Sequence, residues 1–277
     1  MSEFASSAST NDPALADPGA LPVPGLAGTT PLVGLEVAGR LTAPRISVVI
    51  PAINEAENLR IVLGELPDLV SEVVLVDGGS TDDTIAVTRQ LRPDALVLTH
   101  PRPGKGNALA AGFAGCSGDI IIMLDADGSA DPQEIPKFVA TLMDGADFAK
   151  GTRFASGGGS ADITPLRRLG NAGLVRLVNL LYRTRYTDLC YGLNGFWRHC
   201  LPWVAPDCDG FEVEAFMNLR IARSGFRVSE VGSYERRRIH GSSNLHTVRD
   251  GFRVLRTILS ELRLRPRGRS IPAREGQ

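Results

Sequence analysis

The sequence predicts an α/β fold in which one mostly parallel sheet is covered by helices on both of its faces. From residue 45 onward, short aliphatic segments alternate with segments that have the composition of helices. The aliphatic segments are continuously apolar, which is typical of strands buried on both sides in a parallel sheet. The chain has 277 residues, of which 43% are hydrophobic. That is enough for one large domain with a buried core.

The predicted elements of the first half follow each other in a regular order. Favourable helix starts support the order, because acids in a first turn complement the helix dipole and proline fits the first helical position. The strands are expected at Ile46–Ile50 and in the segments EVVLV, ALVLT and DIIIML. The helices are expected from about Glu55 to Leu66, in TDDTIAVTRQL and GKGNALAAGFAG, and from Pro132 to about Met143.

Two helices are predicted in the second half, after a fifth strand that ends just before Arg153. The segment Asn171–Arg183 has a broad apolar surface flanked by arginines, which suits either an interfacial helix or a helix buried in the core. The other helix ends at Gly225 and has Glu212 and Glu214 at its beginning. Acids in that position are also explained by the helix dipole alone.

The two ends of the chain differ in composition from the part between them. Residues 1–44 are rich in Ala, Pro, Ser and Gly, and we expect them to be disordered because they bury too little apolar surface. Residues 45–262 are expected to form the domain, and residues 263–277 a basic, flexible tail. The amino terminus lacks the pattern of a secretory signal, and no apolar segment approaches the roughly 18 residues that span a bilayer.

Charge and cysteine content narrow the class of protein. The net charge is −1, which argues against a nucleic-acid-binding protein. The four cysteines have no metal-binding spacing, which indicates reduced thiols in a cytoplasmic protein. The apolar helix and the basic tail leave peripheral contact with the inner face of the membrane open. The oligomeric state is not indicated.

Polar side chains follow three of the predicted strands, at the point where each strand ends. Asn54 and Glu55 follow the first strand, Asp77 the second, and Asp125 and Asp127 the fourth. Ligands of open parallel sheets bind at this edge. Two carboxylates one residue apart repel each other unless a cation lies beside them, and hard oxygen ligands suit Mg²⁺ or Mn²⁺. Asp82 and Asp83, by contrast, are interpreted as caps of the next helix.

Five segments occur in an order that is characteristic of one family: VVIPAINEAENL, LVDGGSTDDT, RPGKGNALAAGF, MLDADGSADPQEIP and KGTRF. Over about residues 45–200 the chain resembles the family-2 glycosyltransferases of the GT-A fold, a single Rossmann-like sheet. Within that family it resembles the dolichyl- and polyprenyl-phosphate sugar transferases. The resemblance implies metal-dependent, inverting transfer of a hexosyl group from a UDP- or GDP-sugar, with polyprenyl phosphate as the favoured acceptor. A bound cation would neutralise the charge that grows on the leaving diphosphate.

The same resemblance implies roles for particular residues. The donor would be bound by Pro51, Ala52, Asn54, Glu55, Asp77, Lys105, Asp125, Ala126 and Asp127. The metal would be held by Asp125 and Asp127, with His240 as a further ligand. Acceptor or donor phosphates would be bound by Arg153, Arg168, Arg238 and Ser242. The catalytic residues would be Asp127, Arg153 and, where a general base is needed, Glu212 or Glu214.

Two departures from the family pattern leave the identity of the donor's nucleotide base undecided. Ile53 stands where the family usually has an aromatic residue, and Gly78 stands where it has a second aspartate. Both changes remove a contact to the nucleotide, so uracil and guanine remain alternatives. The QxxRW signature of processive synthases is absent, which argues against a polymerising enzyme.

Three other functions are compatible with these residues. The first is transfer to a hydroxyl group of a soluble small molecule, which would require a general base. The second is nucleotidyl transfer, although PAINEAEN is not the phosphate-binding glycine-rich loop that it would need. The third is a non-catalytic nucleotide-sugar-binding protein.

Overall fold

The computed structural model describes residues 43–100, 102–241 and 246–263. The part that begins at Ala43 forms one compact unit. Residues 1–42 and 264–277 lie outside the described residues, so the predicted disordered segment and basic tail stay predictions. No helix of the described residues is long and apolar enough to cross a membrane.

The described residues contain nine strands, seven of which form the main sheet. They are β1 (Ile46–Ala52), β2 (Glu72–Asp77), β3 (Leu96–Thr99), β4 (Ile120–Met123), β5 (Phe148–Thr152), β6 (Gly159–Ser160), β7 (Asn194–Trp197), β8 (Val228–Gly232) and β9 (Tyr234–Glu235). The order in the main sheet is β3-β2-β1-β4-β7-β5-β8, and β6 pairs with β9. Only β7 runs antiparallel to its neighbours β4 and β5. The predicted mostly parallel α/β sheet is confirmed.

Eight α-helices accompany the strands in the described residues. They are α1 (Ala56–Gly64), α2 (Thr84–Leu91), α3 (Lys105–Gly115), α4 (Ile135–Met143), α5 (Pro165–Tyr182), α6 (Leu201–Val204), α7 (Val213–Ser224) and α8 (Thr247–Arg263). A 3-10 turn over Pro132–Glu134 leads into α4, where the sequence predicted one continuous helix. The helix predicted to end at Gly225 does so, and Gly225 has the left-handed φ of 81° that favours glycine.

Helix α5 is longer than the sequence predicted. It begins at Pro165 rather than Asn171, because the Thr164 side chain accepts a hydrogen bond from the Arg167 amide and Pro165 occupies the first helical position. The helix stops at Arg183, a non-glycine residue with a left-handed φ of 56°. The additional turns carry Arg167 and Arg168, which precede the predicted helix start at Asn171.

Apolar clusters lie on both faces of the sheet, which explains why its strands are apolar throughout. In β1, Val48 and Ile50 pack with Leu59 of α1 and Phe138 of α4 on one face. Val49 packs on the other face with helices α3 and α7. A third cluster joins helices α5, α7 and α8 through Val178, Leu219 and Ile258. Burial on both sides fixes the strand ends, and with them the positions of the polar side chains that follow.

Candidate active site

The carboxyl ends of β1, β2 and β4 open into one cleft of about 560 Å³. This volume lies within the range of small-molecule sites, roughly 300–1,000 Å³. The structure brings together in this cleft most of the side chains that the sequence assigned to the donor. The predicted donor-binding residues that line it are Pro51, Ala52, Glu55, Lys105, Asp125, Ala126 and Asp127, and they are joined by the predicted site residues Glu214 and Arg238. The predicted site residues that do not line it are Asn54, Asp77, Arg153, Arg168, Glu212 and His240.

A buried lysine lies between two carboxylates on the floor of the cleft. The Lys105 Nζ lies 2.5 Å from Asp125 Oδ1 and 2.6 Å from Glu214 Oε1. Burial alone would lower the pKa of Lys105, but the two carboxylates raise it well above its usual value, so the lysine stays charged. Burial raises the pKa of Glu214, against the attraction of Lys105. The short contact with Lys105 nevertheless places Glu214 in an ion pair.

Two close approaches hold this cluster in place. A Cβ added at Gly192 would overlap the Asp125 carboxylate, so only glycine leaves room for that carboxylate. Gly104 and Gly106 at the start of α3 press against the backbone of Cys208 and Asp209, where a Cβ would overlap a carbonyl oxygen. The Gly106 amide donates to the Asp209 carbonyl at 3.0 Å. The glycines of the GKG segment thus serve helix packing and the placement of Lys105.

The second acid of the DAD segment is held by an arginine from far along the chain. Arg238 donates to Asp127 Oδ2 at 3.3 Å and also to a carboxylate oxygen of Glu55. Burial raises the pKa of Glu55, although Asn58 and Arg238 act in the opposite direction. The Ser129 amide donates to the other oxygen of Asp127 at 3.0 Å. Each acid of the pair therefore has one cationic partner, Lys105 or Arg238.

The acids of the pair fit a divalent metal only together with further ligands. Asp125 and Asp127 remain about a quarter exposed, at 26% and 24%. Among the described residues no group of three or more His, Cys, Asp or Glu side chains could hold a metal ion. Two carboxylates with open access suit Mg²⁺ or Mn²⁺ when the oxygens of a diphosphate complete the shell. The metal ligands stay a prediction.

His240 lies at the edge of this region. Its Nδ1 is 3.5 Å from a carboxylate oxygen of Glu57, and its backbone exchanges hydrogen bonds with the Asn58 side chain. The ring is half exposed, and the cation that reaches Asp127 is Arg238 instead. The role of His240 as a metal ligand stays a prediction, and Ser242 lies outside the described residues.

Asn54 and Asp77 hold together the loops that follow β1 and β2, at the other end of the cleft. Asn54 has a left-handed φ of 55°, and its Oδ1 accepts from the Thr81 amide at 2.8 Å. Buried Asp77 accepts from the amides of Gly79 and Ser80 at 3.0 and 3.1 Å. In this arrangement both side chains shape the wall. The wall itself is formed here by Ile53, Gly78, His100 and Pro103, and no sequence pattern indicated His100.

Arg153 is buried in an ion-pair network rather than free at the rim. Its Nε lies 2.7 Å from Asp188 and its Nη1 lies 3.1 Å from Glu235. Burial would lower its pKa, but these carboxylates raise it above its ordinary value. The guanidinium also lies over the Tyr191 ring, with 5.5 Å to the centroid. With these donors engaged, a role in binding phosphate would require the network to open, and that role stays a prediction.

The arginines that do line the cleft include two that were not predicted site residues. Arg167 and Arg237 line it beside Arg238, while the Arg168 guanidinium lies over the Phe154 ring, 5.7 Å from its centroid. Arg167 pairs with Asp162 at 3.1 Å. A helix that begins at Pro165 turns Arg167 towards the cleft. The sequence, with a helix predicted to start at Asn171, named Arg168 instead.

Glu212 lies outside the cleft, before the first residue of α7. One of its oxygens accepts from the Gly210 amide at 3.2 Å, and the other is buried without a hydrogen-bond partner among the described residues. The two candidate bases therefore differ: Glu214 lines the cleft in an ion pair, and Glu212 does not line it.

Comparison with known proteins decides the family of this fold and cleft. The model of "Glycosyl transferase family 2" matches residues 47–207, more than half of the chain. The chain belongs to glycosyltransferase family 2. An uncharacterized glycosyltransferase from Mycobacterium tuberculosis is 44% identical over 108 residues, which are 39% of this chain and 48% of that protein. The dolichol-phosphate mannosyltransferase of Pyrococcus furiosus is 29% identical over 159 residues, 55% of this chain and 45% of that protein.

Among solved structures, this family-2 glycosyltransferase is similar to glucosyl-3-phosphoglycerate synthase from Mycobacterium tuberculosis. That enzyme was crystallised with Mn²⁺, UDP and glucosyl-3-phosphoglycerate. The TM-score is 0.64 at 27% identity, over 79% of this chain and 80% of that one. The likeness confirms the GT-A fold. The match to the curated relatives named above, however, spans only about half of their length.

Proposed function

We propose that this chain catalyses metal-dependent, inverting transfer of a hexosyl group from a UDP-sugar to an acceptor phosphate. The observation that carries the proposal is one cleft with Asp125 and Asp127 at its centre and three arginines, Arg167, Arg237 and Arg238, along it. UDP is favoured over GDP because the similar solved enzyme binds UDP with Mn²⁺.

The residues of the cleft have distinct tasks in this reaction. Asp125 and Asp127 would hold the divalent metal on the donor diphosphate, and the metal would neutralise the charge of the leaving group. Lys105 and Arg238 orient the two carboxylates, since each binds one of them. Arg238 also adds a positive charge beside the expected diphosphate position, where negative charge grows during transfer. Direct attack by the acceptor in one displacement inverts the anomeric centre.

Phosphate is favoured as the acceptor because neither of the two predicted base candidates is free in the cleft. Glu214 is buried in its ion pair with Lys105, and Glu212 does not line the cleft. A phosphate oxygen is already ionised at pH 7 and needs no base, whereas a hydroxyl group does. Arginines beside the site bind phosphate in a bidentate manner.

Polyprenyl phosphate is the favoured acceptor of this class. A smaller cavity of about 100 Å³ adjoins the arginine end of the cleft, with Arg167, Cys190 and Phe211 in the walls of both. Its other walls include Ile163, Leu174 and Val254. An apolar cavity beside phosphate-binding arginines suits an isoprenoid, and one relative is a dolichol-phosphate mannosyltransferase. Such an acceptor would be reached at the inner face of the membrane.

A second candidate is transfer to a hydroxyl group of a small phosphorylated acceptor. The similar solved enzyme was crystallised with glucosyl-3-phosphoglycerate, and the same arginines could bind the phosphate of such a molecule. In that case a carboxylate would have to leave its present ion pair to act as a base.

Donor turnover with matched acceptors tests these alternatives. UDP-hexoses with Mn²⁺ are incubated with polyprenyl phosphate, with 3-phosphoglycerate, or without acceptor, and released UDP is measured. We expect release only with polyprenyl phosphate and none with a chelator. Release only with 3-phosphoglycerate would replace the favoured acceptor by the second candidate. Pyrophosphate release would indicate nucleotidyl transfer, and UDP binding without release in any arm would indicate a non-catalytic binder.

A further inference from the structure

Helix α8 exposes a continuous apolar row on the side away from the core. The row consists of Val248, Phe252, Leu255, Leu259 and Leu262, at alternating intervals of four and three residues. Phe252 is 68% exposed, and only Leu255 is partly covered. The adjoining side of the same helix packs into the core through Val254 and Ile258. The apolar surface of the helix is therefore wider than the part that the core covers, and folding does not account for the exposed part.

Helix α5 exposes a second row of the same kind. Leu166, Leu169 and Leu180 lie on one side of the helix, and Leu169 is 70% exposed. The core-facing side of α5 carries Val175 and Val178. Isolated exposed leucines are ordinary on a protein surface, but rows that follow the helical period on two helices are not.

The two rows lie side by side. The Tyr182 hydroxyl near the end of α5 donates to the Ile258 carbonyl near the end of α8 at 2.7 Å, and the first turns of both helices line the same small cavity. The helices therefore run in the same direction. The residues that face the core and those that face the neighbouring helix determine how each helix is rotated about its own axis. With 3.6 residues per turn, both exposed rows then point outward on the same side of the helix pair.

The charges around this surface have one sign. Helix α5 contains three arginines and no acidic residue. Helix α8 has acids only at Asp250 and Glu261, both buried, with arginines within ion-pair distance. Exposed Arg176 and Arg256 flank the apolar rows and have no acidic partner among the described residues. The whole chain has a net charge of −1. The excess of arginines on this surface is therefore local and is not a property of the whole chain.

We propose that the outer surface of α5 and α8 docks the protein in the plane of an anionic lipid bilayer. Apolar side chains flanked by arginines match acyl chains and anionic headgroups, as in interfacial helices. A second copy of the chain fits less well, because its arginines would oppose those of the first. The cavity between the first turns of both helices adjoins the cleft, so docking brings the arginine end of the cleft to the lipid surface. Docking would benefit catalysis only if the acceptor is a lipid phosphate, so this part of the inference rests on the proposed function.

Flotation of the full chain with vesicles tests the surface without any sugar transfer. Vesicles of phosphatidylcholine alone are compared with vesicles containing about one third phosphatidylglycerol, at low and high salt. We expect flotation with the anionic vesicles and weakening with salt. Leu169→Gln combined with Phe252→Gln should reduce the partition coefficient at least about tenfold. Arg176→Gln combined with Arg256→Gln should reduce it at least about fivefold on anionic vesicles only.

Matched controls lie on other surfaces of the molecule. Met143→Gln on α4 and Arg60→Gln on α1 replace exposed residues of the same kinds and should not change flotation. Thermal stabilisation by UDP with Mn²⁺ is measured on every variant, so a failure of donor binding is recognised separately from a failure of docking. Absence of flotation, or flotation unaffected by the α5 and α8 substitutions, would refute the proposal. A concentration-dependent dimer that disappears with Leu169→Gln and Phe252→Gln would instead assign the surface to a second copy.

Discussion

The two ends of the cleft are built in different ways. At the donor end, the polar side chains follow directly after buried strands, so a short segment of sequence determines both the strand and the side chain at its end. At the acceptor end, side chains are held by partners far along the chain. Arg153 is separated from Asp188 by 35 positions and from Glu235 by 82. Catalytic geometry at that end therefore depends on tertiary folding, and mutations there should affect stability and activity together.

The largest effect is expected from breaking the network at the acceptor end. Arg153→Met leaves Asp188 and Glu235 buried without their partner, and such a loss costs about 3–5 kcal/mol of unfolding free energy. Arg153→Lys keeps the charge but not the forked geometry, and should lie between wild type and Arg153→Met. Urea unfolding measures both. Arg168→Met is the control, because exposed Arg168 has no ion pair among the described residues and should change stability by about 0.5 kcal/mol or less.

This experiment also decides the role that the sequence predicted for Arg153. If Arg153→Met keeps wild-type stability but loses transfer, the arginine binds a substrate phosphate directly. If the free energy of unfolding falls together with transfer, Arg153 is a positioning residue that places Glu235 and the loop at Asp188.

The next effect belongs to the donor end. Asp127→Asn removes one charge from the expected metal ligands but keeps the size of the side chain. We expect transfer to fall about 10²–10³-fold, the usual cost of losing one electrostatic contact in a transition state. Stabilisation by UDP should lose its dependence on Mn²⁺, which a thermal melt with and without chelator measures. Asp144→Asn, an exposed acid after α4, should behave as wild type. Metal-dependent stabilisation that persists in Asp127→Asn would argue against this site.

A smaller effect is expected from a single methyl group beneath Asp125. Gly192→Ala places a Cβ where the Asp125 carboxylate lies, so that carboxylate must shift away from Lys105. We expect UDP affinity in the presence of Mn²⁺ to fall about tenfold, measured by calorimetry, because the contact is displaced but not removed. Gly64→Ala at the end of α1 is the control, since nothing lies within 4 Å of its added Cβ. Unchanged affinity in Gly192→Ala would mean that Asp125 does not contact the bound donor.

The sequence predicted what local patterns determine. The mostly parallel sheet and the acids after β1, β2 and β4 follow from buried aliphatic segments and what comes directly after them. The antiparallel direction of β7 was not predicted, because NGFW is too short and too ordinary to indicate it. The sequence predicted Arg168 and not Arg167 as a site residue, because the choice depends on where α5 begins, and that depends on the Thr164 cap.

The partners of Arg153 were missed for a different reason. Asp188 and Glu235 lie in segments without a strand or helix pattern that would indicate their burial, and only the folded chain brings them to Arg153. Helix α8 and its exposed row were not predicted. The apolar residues of such a helix fit the core equally well, and sequence alone does not show how much of a wide apolar surface the rest of the protein covers.

The smallest expected effect distinguishes a phosphate acceptor from a hydroxyl acceptor. A general base contributes about 10²–10⁴-fold to a reaction that needs one. Glu212→Gln removes the base candidate that lies outside the cleft but keeps its shape. For a phosphate acceptor, transfer should stay within about twofold of wild type, and the rate should follow only the ionisation of the acceptor, whose second pKa is about 6. The measurement is the transfer rate across neutral pH with each acceptor. A large loss in Glu212→Gln, with a new dependence on pH, would show that the carboxylate moves into the cleft and that the acceptor is a hydroxyl group. The acceptor end would then be a mobile structure, in contrast to the fixed strand ends that bind the donor.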